Sequence, residues 1–247
     1  MKSILVSSIT GLLLLAGLAR AHAGFQADLE GGRVYTGYND VQIPGDSGTR
    51  FSLKDDIPSD PAWFYRARLS YLHNGRHYVS LLASPLRVQG KGRADRDILF
   101  SGSTFAAGTE IKSEFRFDSY RATYRYNFLV TDRLILGAGL TGKIRDASIT
   151  LENEYVRETK SNTGFVPLIN FSIEGKLTPS LSLLLEGDAL FSRYGRAEDV
   201  MAALQYRPVD RVAVRAGYRV LEGGADNSEV YTFSLFHYAL AGVTLFF

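Results

Sequence analysis

The chain reads as an all-β protein: a closed antiparallel transmembrane β-barrel of about ten strands, in one domain. Three observations carry that reading. Apolar residues recur at every second position through most of the chain, the spacing of a strand with one apolar face. Turn residues divide it into about ten such segments. Beyond the first two dozen residues, no run approaches the roughly 18 consecutive apolar residues of a spanning helix. If the chain crosses a bilayer, it does so with strands.

The segments are Gln26–Val41, Ala62–His73, Arg76–Phe105, Thr109–Leu129 and Arg133–Glu152, then Phe165–Leu177, Leu181–Ser192, Ala197–Arg207, Arg211–Glu222 and Glu229–Phe247. Each exceeds the roughly 9–11 residues that a tilted strand needs to cross. Connections alternate in length. Short ones fall at Asn74-Gly75, Val130–Asp132, Thr178–Ser180 and Pro208–Asp210; longer polar ones fall at Gln42–Pro61, Glu154–Gly164, Arg193–Arg196 and Gly223–Ser228. Short turns on one side and long loops on the other are what an outer-membrane barrel with periplasmic termini requires. The third segment holds a polar stretch, Gly90–Asp97, before Ile98–Phe105. It is read as one long hairpin with its tip at Ala106–Gly108; splitting it gives a twelve-strand alternative.

The first residues form a separate unit. Lys2, an apolar run from Ile4 to Leu18 and the small-x-small site Ala21-His22-Ala23 read as a cleaved secretory signal peptide, Met1–Ala23, leaving 24–247 as the barrel. Its loss removes Lys2 and Arg20 from 28 basic residues and none of 26 acidic ones, so the mature chain is neutral. That balance argues against nucleic-acid binding. Cysteine is absent, which excludes disulfides and thiol chemistry.

In the last strand, Tyr231, Phe233, Leu235, His237, Ala239, Ala241, Val243, Leu245 and Phe247 fall on one face, opposite a smaller and more polar set. A strand that ends the chain on an aromatic residue resembles the final strand of bacterial outer-membrane β-barrels. The resemblance implies an outer-membrane location, and an insertion signal in Phe247, Leu245 and Val243 read by the barrel-insertion machinery.

Alternation then assigns the wall. Facing lipid are Tyr120, Ala122, Tyr124, Tyr126, Phe128, Leu134, Leu136, Ala138 and Leu140, and likewise Ile169, Phe171, Ile173, Leu181, Leu183, Leu185, Val212, Val214, Ala216 and Tyr218. The opposite face carries Arg66, Arg68, Arg121, Arg125, Lys143, Arg145, Lys176, Arg215 and Arg219 with Glu174, Glu186, Asp188 and Asp199. A lipid-facing Arg or Lys costs roughly 2–4 kcal/mol at the midplane, so these charges belong inside, paired or hydrated. Two interiors satisfy that demand: a lumen filled by interlocked ion pairs, or a narrow charge-lined channel.

Chemical motifs are few. Gly137–Gly142 spells G-x-G-x-x-G but continues as strand, so its glycines make room for neighbouring arginines and do not cradle a nucleotide. His73 and His77 flank a turn; His237 falls on the lipid-facing phase near the outer interface. No residue matches the omptin proteases or the outer-membrane lipid A deacylases. The remaining acids for a hydrolase are Asp55, Asp56, Asp60, Asp226 and Glu229 in outer loops, better read as solvated. Lys54, Lys91, Arg93, Arg96, Arg157, Lys160 and Arg196 are read as outer-loop charge suited to lipopolysaccharide phosphates. The expectation is a monomeric, non-enzymatic surface barrel with an ion-paired lumen, no metal and no cofactor. A porin-like channel and a loop-acid hydrolase are the alternatives.

Overall fold

A computed structural model describes residues 23–192 and 195–247. The expected leader, Met1–Ala23, lies outside the described residues except for Ala23, which opens the first strand. The strands are β1 Ala23–Gln42, β2 Phe51–Ser52, β3 Ala62–His73, β4 His77–Ser84, β5 Arg87–Gly92, β6 Ile98–Phe100 and β7 Ser103–Phe105. They continue as β8 Ile111–Val130, β9 Leu134–Glu152, β10 Arg157–Lys176, β11 Leu181–Ser192, β12 Gly195–Val209, β13 Val212–Asp226 and β14 Tyr231–Phe246.

The wall is a meander. Each wall strand is antiparallel to its neighbours, and β14 returns to β1 in register from Gln26↔Phe246 to Gln42↔Tyr231. β4 and β5 lie end to end along β8 as one interrupted wall strand, and β2 is a two-residue addition to β1. Ten strands therefore close the barrel, and the twelve-strand count does not hold. Closure leaves no unpaired strand edge, which a bilayer would not tolerate.

Local chemistry explains the turns. Asn74 and Gly75 both adopt positive φ, 51° and 67°, the two residue types that bear it at least cost. The Arg76 N–H closes that turn on the His73 carbonyl at 3.0 Å. Thr178 Oγ1 accepts from the Leu181 N–H at 3.0 Å to start β11.

The exterior carries an apolar band of Leu29, Leu69, Leu81, Leu140, Ile169, Leu183, Leu204 and Val214, all exposed. Aromatic residues flank it: Tyr35, Trp63, Tyr65, Tyr120 and Tyr218 toward the long-loop end, and Phe25, Tyr71, Tyr124 and Tyr126 toward the short-turn end. The register sets the outer limit of the band. Ile144 pairs with Tyr120, and two residues further up the outward face carries the ion pairs Arg87–Asp118 and Arg116–Asp146. Charges on that face lie beyond the hydrocarbon.

Three sequence expectations change. Ile98–Phe105 does not prolong the third wall strand; it folds back as the β6–β7 hairpin, separate from the wall. Its Ile98, Phe100 and Phe105 are fully buried with Phe51, Leu53 and Ile57 of the first loop. The two long loops thus form one apolar cap over the β1–β5–β8 side. Glu154–Gly164, expected as a loop, is mostly strand, since β10 begins at Arg157 and pairs Arg157↔Glu152. Gly223–Ser228 likewise lies largely within β13. Beyond the membrane both faces of a hairpin are polar, so alternation fades there while backbone pairing continues.

Candidate functional site: an ionic plug beneath an open vestibule

Directly paired residues point to the same side of a sheet, so the register fixes which side chains meet in the lumen. Five arginines converge there on five carboxylates. Glu30 accepts Arg219 Nε at 3.1 Å and Nη2 at 3.0 Å, and Arg215 Nη2 at 2.9 Å. Asp199 accepts Arg66 Nη1 at 3.0 Å and Arg219 Nη1 at 2.6 Å, and forms an ion pair with Arg121 Nη2 at 2.6 Å. Asp188 accepts Arg121 Nη1 and Thr141 Oγ1, both at 2.7 Å, and Asn170 Nδ2 at 2.8 Å. Nearer the periplasm, Glu186 holds Arg68 at 2.8 Å and Asp28 holds Arg215 and Thr244.

The pairs are desolvated. The side chains of Arg66, Arg121, Arg219, Glu30 and Asp199 are each under 5 % exposed. Removing one partner of such a pair leaves a buried charge, at a cost of about 3–5 kcal/mol. Backbone makes room for the long side chains: a Cβ on Gly242 would come 2.9 Å from Arg215 Cζ, and one on Gly137 would come 2.9 Å from Arg125 Cδ.

Lys143 and Arg125, by contrast, make no ion pair among the described residues. Arg125 lies 4.2 Å from the Tyr78 ring centroid and Lys143 lies 4.6 Å from that of Phe117. Of the other expected lumen charges, Glu174 bonds Ser182 at 2.9 Å. Lys176 keeps the inward register but is exposed at the periplasmic rim. Arg145 stands above the network and donates to Asn162 Oδ1.

Two acids of the network, Asp28 and Glu30, were missed by the sequence reading, which placed the acids on the later strands. The signal was present: Gln26, Asp28 and Glu30 alternate with Phe25, Ala27 and Leu29. Lys160 is corrected as well. It belongs to β10 opposite Ile149 and so points inward. Lys91, Arg96, Arg157 and Arg196 pair with Glu110, Asp56, Glu152 and Glu222.

Asp56, the central acid of the first loop, is structural. Burial alone would raise its pKa. The Arg96 guanidinium, bidentate at 3.0 Å, and the Ser52 N–H at 2.8 Å together hold it below the ordinary carboxylate value. His237 lies on the outward face, bonded to the Tyr218 hydroxyl and stacked on its ring. Among the described residues no three His, Asp or Glu side chains cluster so as to hold a metal ion.

The free space is divided sharply. Within the ionic network it amounts to about 20 Å³, lined by Arg66, Arg68, Arg121, Arg125, Glu186, Asp188 and Asp199 among others. That is room for about one water. Above the network, a cavity of about 890 Å³ opens to the outside between β8–β10 and β12–β14. Phe115, Phe117, Ile149, Val166, Leu221 and Phe236 line it, and Lys143, Arg145 and Lys160 face it from β9 and β10.

No family model matches this chain, and no curated protein does. Solved structures do match. The outer membrane protease OmpT of Escherichia coli superposes with a TM-score of 0.61 at 9% identity, over 91% of this chain and 97% of that one. The attachment invasion locus protein Ail of Yersinia pestis matches with a TM-score of 0.40 at 12% identity, over 90% and 98% of the two chains. At such identity the OmpT likeness is one of fold, and it speaks for the whole architecture. The chain folds as a closed ten-stranded antiparallel β-barrel, the architecture it shares with OmpT.

Proposed function

We propose that this protein is a non-conducting, non-enzymatic barrel that presents a binding vestibule at the cell surface. The single observation behind this reading is the contrast between about 20 Å³ of space in the ionic network and about 890 Å³ above it. A channel needs a continuous hydrated path, whereas a binding cavity needs a closed floor. Cavities of roughly 300–1,000 Å³ lined by apolar groups with a few polar ones are the usual form of small-ligand sites. Of the two carboxylates that line the vestibule, Glu222 is engaged by Arg196 and by the Tyr38 hydroxyl, and Glu229 lies on the loop before the last strand. Among the described residues, no histidine stands beside either in the lining to form an acid–base pair. The outward pairs at the outer rim, such as Arg50 over Tyr231 at 4.2 Å, suit contact with lipopolysaccharide.

The lack of native cysteine makes the test direct. A cysteine placed at Ser234, in the vestibule lining, should react on intact cells with a bulky membrane-impermeant maleimide. One placed at Ser182, on the inward phase below the plug, should react only after the outer membrane is permeabilised. Equal labelling of both from outside would mean an open lumen.

A further inference from the structure

We infer that the vestibule binds a small anionic amphiphile: one phosphate or carboxylate group on a compact apolar body. This inference rests on the reading of the cavity as a surface binding site and names what fills it. The cations on one wall carry it. Lys143 pairs directly with Arg121 in register, so it forms the floor of the vestibule at the upper edge of the plug. Its residue is 3 % exposed, yet among the described residues no acceptor hydrogen-bonds its ammonium and no acid pairs with it. Arg145, two residues up the same strand and on the same face, stands about 7 Å away at the backbone. It makes one hydrogen bond, to Asn162, and its Nε is buried without a partner. Lys160 continues the stripe toward the mouth and is likewise unpaired among the described residues.

In the plug just below, Arg66, Arg121 and Arg219 are matched by carboxylates, and the unpaired Arg125 is covered by the Tyr78 ring. Here, among the described residues, no carboxylate comes within ion-pair distance of Lys143 or Arg145; Asp188 and Asp199 act on Lys143 only from within the plug. An anion held between Lys143 and Arg145 would supply the matching charge, with charge-assisted hydrogen bonds from both. The facing walls set the rest of the ligand. Phe117, Leu221 and Phe236 offer apolar surface, which a bare inorganic anion would leave wet. Charge fixes one end of the ligand, and area holds the other.

The experiment is equilibrium dialysis of the full barrel in a neutral maltoside detergent, corrected with protein-free micelles. The probes are 1-naphthyl phosphate, 1-naphthoate, uncharged 1-naphthol and inorganic phosphate. The expected result is that at least one naphthyl anion binds at least tenfold more tightly than naphthol and than inorganic phosphate. Whichever anion binds better identifies the headgroup. Lys143→Met and Arg145→Gln should each weaken that binding at least tenfold, whereas Arg207→Gln, exposed at the short-turn rim against Phe246, should leave it unchanged. Equal binding of anion and naphthol overturns the inference. So does undiminished binding by variants that keep heat-modifiable migration on gels, or no binding at all. These failures are separable from failure of the closed-barrel reading, which is decided by labelling at Ser182→Cys whatever the probes do.

Discussion

Asp199 meets three guanidinium groups, from β3, β8 and β13, and so ties opposite walls of the barrel through one carboxylate. Its replacement takes one carboxylate from three buried cations at once, leaving Arg121 to Asp188 and Arg66 and Arg219 to share Glu30. Asp199→Asn should therefore destabilise the barrel by about 3–5 kcal/mol. The check is the temperature at which the folded band on an unboiled gel converts to the unfolded one, which should fall clearly below that of the parent. Asp56 shows the same chemistry outside the membrane, with a different pH signature. Its folded pKa lies below the ordinary carboxylate value, so the Arg96 pair contributes stability that is fully present above that ordinary value. The contribution fades as pH falls through the lowered folded pKa. Hydrogen exchange at the Ser52 amide, which donates to Asp56, should lose protection between about pH 5 and pH 2.5 after correction for intrinsic rates. In Asp56→Asn the protection should be low at both.

At the scale of elements, the wall was legible in the sequence because lipid imposes strict alternation, and a one-residue slip would turn Arg121 or Arg219 toward hydrocarbon. Tyr120, Tyr124, Leu140, Ile169 and Leu183 are accordingly all exposed on the outward face. The cap was not legible. Ile98–Phe105 has the apolar content of a strand, and nothing local tells a wall strand from a hairpin buried against another loop. The outer ends of β10 and β13 were read as loop for the opposite reason: water on both faces removes the alternation. The plug was half legible, since its cations were placed inward while Asp28 and Glu30 were overlooked. Because the cap has its own apolar core, it should respond separately from the wall. Phe100→Ala removes a fully buried ring at a local cost of about 3–5 kcal/mol. It should expose Arg93 and Arg96 to trypsin while leaving the gel-conversion temperature of the barrel near that of the parent. A fall in that temperature comparable to Asp199→Asn would mean that cap and wall unfold as one unit.

The barrel combines a tightly filled ionic section with an open chamber above it, which under the proposed function form a seal beneath a binding site. Where cation and carboxylate meet, the lumen closes around them; above the unpaired Lys143 it opens. The seal is what most directly separates a surface binder from a porin-like channel. Conductance of the purified barrel in planar bilayers measures it. The expected trace shows no discrete steps for the parent chain, while Asp199→Ala combined with Arg121→Ala, which hollows the plug, introduces them. Resolved single-channel steps in the parent that disappear or change size when Arg121 is altered would contradict the sealed lumen.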